Sequence, residues 1–489
     1  MIAPLPLLLH AAALACTLAL PAQAQPPLSA SDWLSGSVQG PSRETSAWRP
    51  GDPRPAGFPG AGPRPVAETA EVGAVQVTRL GNGNPDAAGL VSARKAGLPA
   101  ALWQDGDPQV LADLIRRTPA RLPAMTRLLD RVLTTQFIPP AALPGAGQGS
   151  VFLARADRLL DAGALDRAQA LLIAAGPSDP EIFRRLFDIA LLKGEEGRAC
   201  DMMNTTPGIA PSFAARIFCL AQTGDWAAAA ISLTGAETLG LLDADEAVLL
   251  THFLDDAYVD SGDRLPVPDR LTPLRFRIHE AIGQPLPTAP LPVAFAHSDL
   301  RPNNGWKARL DAAERLARTG AMPFQALRAL YSEQAPAASG GVWERAGAMR
   351  AFEAALAAGD PLAALPPTFD AFRAAGMADV LAAMIAADLP QGGEGRPAEI
   401  ALALRQWQGL PVDRPVAPDP ALAAGSANAP TARQGEALLA AMTDVDAGVD
   451  GDLPRAARGL AMLRALGLTA EADLAAAQLS LLPVMRGQP

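Results

Sequence analysis

From about residue 105 to the C-terminus, apolar side chains recur three and four positions apart, the spacing that gathers them on one face of an α-helix. "DPQVLADLIRRT" and "LPAMTRLLDRVLTTQF" open this pattern, and Pro139-Pro140 with "GAGQG" close its first segment. Ahead of it, "AVQVTRL" (74–80) alternates like a short strand and "GNGNPDAAG" reads as a turn. A longer period is superimposed between 150 and 236. Three amphipathic pairs break at Gly163, Gly194 and Gly224, spaced 31 and 30 residues apart, and Phe152, Phe183 and Phe213 open the units in the same step. Five residues after each glycine stands an alanine: Ala168, Ala199 and Ala229.

Each marker has a physical task. Glycine ends the first helix because the turn needs a left-handed backbone. The alanine lets the second helix approach closely, and phenylalanine with the aliphatics fills the seam. One hairpin cannot cover its own apolar face, so units stack. "AQTGDWAAAAISL" (221–233), with Trp226 after the glycine, is therefore a repeat junction.

The pattern resembles the tetratricopeptide-repeat family. The first unit matches at Ala156, Gly163, Ala168, Ala175 and Pro180, and the third at Gly224, Asp225, Trp226, Ala229 and Ala236. The period is shorter than the family's roughly 34 residues, Phe187 stands where a small residue belongs, and the Trp-x-x-Leu-Gly opening is missing, so the resemblance is to a degenerate, tetratricopeptide-like form. It implies an all-α, right-handed solenoid of helical hairpins with a concave surface for protein or peptide. Further hairpins turn at Gly320, Gly359, Gly376 and Gly467.

Composition divides the rest. The expected organisation is a signal peptide (1–24), a disordered Pro/Gly-rich arm (25–72), an N-terminal strand, turn and capping helices (73–146) and the repeats (147–262). A Pro-rich linker (263–300), a second hairpin region (301–409), a Pro/Ala linker (410–432) and a C-terminal capping hairpin (433–489) follow. The apolar N-terminus ends in Ala22-Gln23-Ala24, which predicts cleavage after Ala24 and export, although no Lys or Arg precedes the apolar run. Three lysines against an arginine-dominated positive charge, with abundant Ala, Gly and Pro, suggest a GC-rich genome, and hence the periplasm of a Gram-negative bacterium. In that oxidising compartment Cys200 and Cys219 could form a disulfide, or remain as two buried thiols on neighbouring helices. The formal charge of -10 disfavours nucleic acid, and no later stretch has the length and character of a transmembrane segment.

Within the arm, "LSASDWLSGS" offers Ser31 or Asp32 as a helix cap and Trp33-Leu34 as an apolar pair able to dock into a partner's groove; the plain alternative is that Trp33 folds back on its own domain. Catalytic patterns are thin. His252, His279 and His297 have no metal spacing, "HE" at 279–280 does not extend to HExxH, and nucleophile-elbow, Walker and dinucleotide motifs are missing. Asp243/Asp245, Asp255-Asp256 and Glu195-Glu196 read as solvated helix ends, and Trp306 as a seam residue. No catalytic, cofactor or metal residues are assigned. The expectation is a non-enzymatic periplasmic scaffold that binds a periplasmic or membrane-anchored envelope protein, for instance in an envelope machine such as the flagellar motor. The alternatives are a peptidoglycan-acting enzyme related to solenoid lytic transglycosylases, whose Glu-Ser and Gly-Leu-Met-Gln-like signatures are not found, and a self-associating structural protein.

Overall fold

The computed structural model describes residues 33–36, 83–141, 148–255, 257–258 and 264–487. The expected signal peptide, the strand at 74–80 and all but four residues of the arm lie outside them. The described chain is all-helical. Apart from a parallel two-residue bridge between β1 (Val91–Ser92) and β2 (Thr135–Gln136), its regular elements are α-helices and short 3₁₀ turns.

The first helices are α1 (Ala93–Ala96), α2 (Pro108–Arg117) and α3 (Pro123–Thr134). Then come α4 (Ser150–Asp161), α5 (Leu165–Ala175), α6 (Pro180–Lys193), α7 (Glu196–Thr205), α8 (Phe213–Gln222), α9 (Trp226–Thr238), α10 (Ala244–Leu254) and α11 (Pro273–Ala281). The second half holds α12 (Ala296–Asp299), α13 (Trp306–Arg318), α14 (Phe324–Ser332), α15 (Val342–Ala357), α16 (Pro361–Ala374), α17 (Ala378–Ile385) and α18 (Gly395–Trp407). It ends with α19 (Gln434–Ala447), α20 (Leu453–Ala465) and α21 (Thr469–Arg486).

Local chemistry explains the boundaries. Asp107 and Asp179 each cap a helix that begins with proline, accepting the first free backbone N–H groups of α2 and α6. Gly163, Gly194 and Gly224 have φ of 74°, 75° and 89°, the left-handed turn predicted at these positions. Phe152, Phe183, Ala168 and Ala229 are buried in the helical seams, while Phe213 and Ala199 are partly buried there.

Two main cores and a small cluster of Ala296, Ala312 and Leu316 result. One main core is enclosed by α6 to α11, and the other spans the remaining helices; α6 serves both, with Phe183, Phe187 and Leu191 in the first and Ile182, Ile189 and Leu192 in the second, and α11 adds Phe276 to the second. The span 263–300 is not a linker as its prolines suggested. Thr272 caps α11, Pro273 occupies its first turn, and Leu274, Phe276 and Ile278 are buried against neighbouring helices. Proline there starts a helix instead of preventing one. In the Pro/Ala stretch after α18, Leu422 is buried within a 3₁₀ turn packed on α20.

The C-terminal helices do not cap the far end of an open stack. They return to the beginning: α19 packs on α2 and α21 on α3. Gln478 sits in this junction, accepting the Ala124 N–H at 3.0 Å and donating to the Trp407 carbonyl at 2.7 Å. Gly435 donates to the Leu102 carbonyl at 3.0 Å, and a Cβ at that position would lie 2.4 Å from the Trp103 ring. The closure thus needs glycine at that contact.

Candidate functional site

Helix α6 is apolar on two faces, which leaves a narrow third side. Along it Glu181, Arg184, Arg185 and Asp188 recur at helical spacing, and both arginines and Asp188 are fully buried. Burying such groups is unfavourable unless each charge is paired and hydrogen-bonded. Arg185 meets Asp157 of α4 through Nε and Nη2 at 2.6 and 3.1 Å, and also donates to the Glu181 carbonyl and Oε2. Arg184 donates from Nε and Nη2 to Glu181 Oε2 at 3.0 and 2.8 Å. The remaining capacity of Arg184 and Asp188 is filled by the N-terminal segment.

Residues 33–36 lie across this stripe. The Ser35 hydroxyl and N–H donate to Asp188 Oδ1 and Oδ2 at 2.6 and 3.0 Å, and the Ser35 carbonyl accepts from Arg184 Nη1. Leu34 is fully buried and its carbonyl accepts from Arg270 Nη2 at 2.9 Å. The Trp33 ring packs edge-on against Phe295 at 5.8 Å between centroids, and its Nε1–H donates to Asp161 at 3.2 Å. Trp33 and Leu34, read from sequence as an anchor for a partner, are thus occupied inside their own fold. The reason is the stripe: Asp188 and Arg184 need a donor and an acceptor there, and Ser35 supplies both from one residue.

The electrostatics fit a desolvated clamp. Burial pushes the Asp188 carboxyl up from 3.8 to about 6, and the Ser35 hydrogen bonds and nearby Arg184 hold it from rising further. Arg185 is raised, because the attraction of Asp157 and Glu181 outweighs its loss of solvent. The stripe was visible in "PEIFRRLFDIALLK" as four charges three or four apart on an apolar helix. Nothing local to it names Asp157 or Ser35, 28 and 153 residues away.

Cys200 of α7 and Cys219 of α8 are joined by a disulfide in the smaller core. Next to it, α9 buries Ala229, Leu233 and Ala236 while its other side is uncovered: Trp226 is 50% exposed and Ile231 74%. Trp306 is buried in a seam, its Nε1–H donating to the Leu330 carbonyl at 2.9 Å. His279 is buried, His252 stacks on Tyr258, and His297 Nε2 lies 2.7 Å from the Gly163 carbonyl. Among the paired acids, Asp243 caps α10, whereas Glu196 is buried and ion-paired with Arg277 at 2.8 Å instead of solvated. Among the described residues no group of three His, Cys, Asp or Glu side chains is arranged to hold a metal ion, and no helix is long and apolar enough to cross a membrane. Comparison with protein-family models, with characterised proteins and with solved structures gives no match.

Proposed function

We propose that this chain is an exported, non-enzymatic adaptor of the bacterial cell envelope, whose tetratricopeptide-like hairpins bind another envelope protein. The observation that carries this reading is the outer side of α9. Ala227, Ala230, Ile231 and Thr234 are exposed there at helical spacing, Leu239 follows at 72% exposure, and Glu237 is the only charged residue of the helix. An exposed apolar surface of this kind is typical of protein–protein contacts. The small Ala and Thr side chains allow a partner helix to approach closely, with Ile231 and Leu239 as anchors. The disulfide beside α9 suits an oxidising compartment. Trp33 and Leu34 contribute nothing to this contact, since their own fold uses them.

The test is a photo-crosslinking amino acid at position 231, with a control at exposed position 344 on α15, in cells making the full chain. The expected result is a recurrent adduct with one envelope protein from position 231 alone, lost when Leu239→Glu is added. Adducts only with the chain itself, together with a dimer mass by light scattering, would replace the adaptor with a self-associating structural protein. Equal labelling from both positions would remove α9 as the contact.

A further inference from the structure

The closure of the chain creates a second feature, separate from α9 and sharing Asp161 with the Trp33 clamp. Helices α3, α4, α5, α13, α14, α17 and α21, drawn from both ends and the middle of the sequence, surround a cavity of ≈ 570 Å³. Arg121, Arg127, Arg158, Arg167, Arg318 and Arg486 line it, against only Asp130, Asp161 and Asp379. A chain of formal charge -10 has gathered cations at one point.

Local carboxylates neutralise only some of them. Arg121 is held by Asp446 and Asp450, each at 2.6 Å, and Arg167 by Asp130 at 2.6 Å. Arg318 reaches Glu314 only at 3.5 Å, and that carboxylate is already engaged by Arg345 at 2.6 Å and by the Tyr331 hydroxyl at 2.7 Å. Arg127 hydrogen-bonds the neutral Gln408 at 3.1 Å, and Arg158 the Thr118 carbonyl at 3.2 Å. The Arg158 Nε–H is buried with no acceptor among the described residues. Loss of solvent lowers the pKa of both Arg127 and Arg158, and for Arg158 the nearby Asp161 carboxylate offsets part of that fall. Arg486 is within electrostatic reach of Asp379 and Asp450, and Asp379 also feels Arg318. Leu129, Leu133, Leu159 and Phe324 also line it, so the lining combines guanidiniums with apolar side chains.

We propose that this cavity binds a small organic molecule that carries phosphate or carboxylate groups on an apolar body. Guanidinium forks recognise both oxyanions bidentately. The cavity is of the size that holds ligands of metabolite dimensions. Arg127, Arg158 and Arg486 would take the oxyanions and the leucine and phenylalanine side chains the body. The shared chemistry admits two sources, a free anionic metabolite or the headgroup of an anionic lipid.

The experiment is calorimetric titration of the full exported chain with pyrophosphate, citrate and hexyl phosphate at constant ionic strength, with sodium chloride as control. A parallel arm floats the protein with vesicles of phosphatidylglycerol or of phosphatidylcholine. The expected result is saturable binding of at least one oxyanion, weakened at least tenfold in Arg127→Gln/Arg486→Gln with folded circular dichroism retained. Arg158→Gln is the second variant, with hexyl phosphate affinity and folded circular dichroism as its readouts. Arginine-dependent flotation with phosphatidylglycerol would assign the lipid source, and its absence alongside soluble binding the free metabolite. No saturable binding to any probe, or binding indifferent to both sets of arginine changes, would overturn the proposal. Neither result bears on the α9 contact.

Discussion

Removing one hydroxyl, with Ser35→Ala, tests the reasoning about the clamp most directly. Burying Trp33 removes on the order of 150–250 Å² of surface, worth about 4–6 kcal/mol, and Leu34 adds about 2–3 kcal/mol. The three hydrogen bonds of Ser35 contribute about 1 kcal/mol each. Against this stands about 6 kcal/mol for ordering four residues. The segment is therefore held by a net of roughly 3–6 kcal/mol, an upper value because an unfolded chain already buries some apolar area. Ser35→Ala deletes the hydroxyl donor 2.6 Å from a buried carboxylate and leaves that oxygen without its partner, which costs about 1.5–3 kcal/mol, more than the bond's own net contribution. Opening of the segment should become roughly 10- to 100-fold more frequent, while the global unfolding transition stays nearly in place, because the segment opens as a local unit. Amide hydrogen exchange of the peptide containing position 35 reads this, with Trp33→Ala as a control that loses nearly all protection. Unchanged exchange in Ser35→Ala, or protection lost only together with the whole molecule, would refute the account of Asp188 as a receptor for Ser35.

The buried Asp188 also sets a pH dependence. Its folded pKa of about 6 exceeds the ordinary 3.8, so its contribution is fully present below 3.8 and is lost as pH rises through 6. Between pH 7.5 and 4.5 the wild type should gain about 2 kcal/mol relative to Asp188→Asn in urea unfolding, and a constant gap would contradict the assignment. Arg185→Met strands Asp157 and should cost about 3–5 kcal/mol, whereas Arg185→Met with Asp157→Leu should recover most of it; equal losses would mean the pair is not coupled. The Cys200–Cys219 bridge closes a short loop, with a sequence separation of 19, so its reduction should lower the stability of the smaller core by about 3 kcal/mol, seen as an earlier melting step in dithiothreitol that Cys200→Ala/Cys219→Ala reproduces without reductant. Gly435→Ala should loosen the closure, with faster exchange in α2 and α19 while α8 is unaffected.

The sequence by itself determined what depends on neighbours three, four or five residues away. Helical periodicity and the left-handed glycines at 163, 194 and 224 are local, and the glycines stand where the chain's own pattern put them. The even cysteine count left Cys200 and Cys219 open between a disulfide and two separate thiols, and the bond itself is a fact of the folded lobe. The clamp was half legible: the charged stripe on α6 is a helical-period signal, and "DWLSGS" stood out as an apolar interruption of a Pro/Gly-rich arm. That the two meet depends on tertiary structure, because a buried Asp or Arg accepts whichever donor or acceptor the fold delivers, and periodicity carries no information about it. The ends of the chain meet for the same reason. Ala124 and Gln478 are 354 residues apart, and only the packing of α2 and α3 against α19 and α21 makes them partners. The arginine cavity exists only once those ends have joined, since its guanidiniums come from helices with no common local pattern and concentrate charge only in three dimensions.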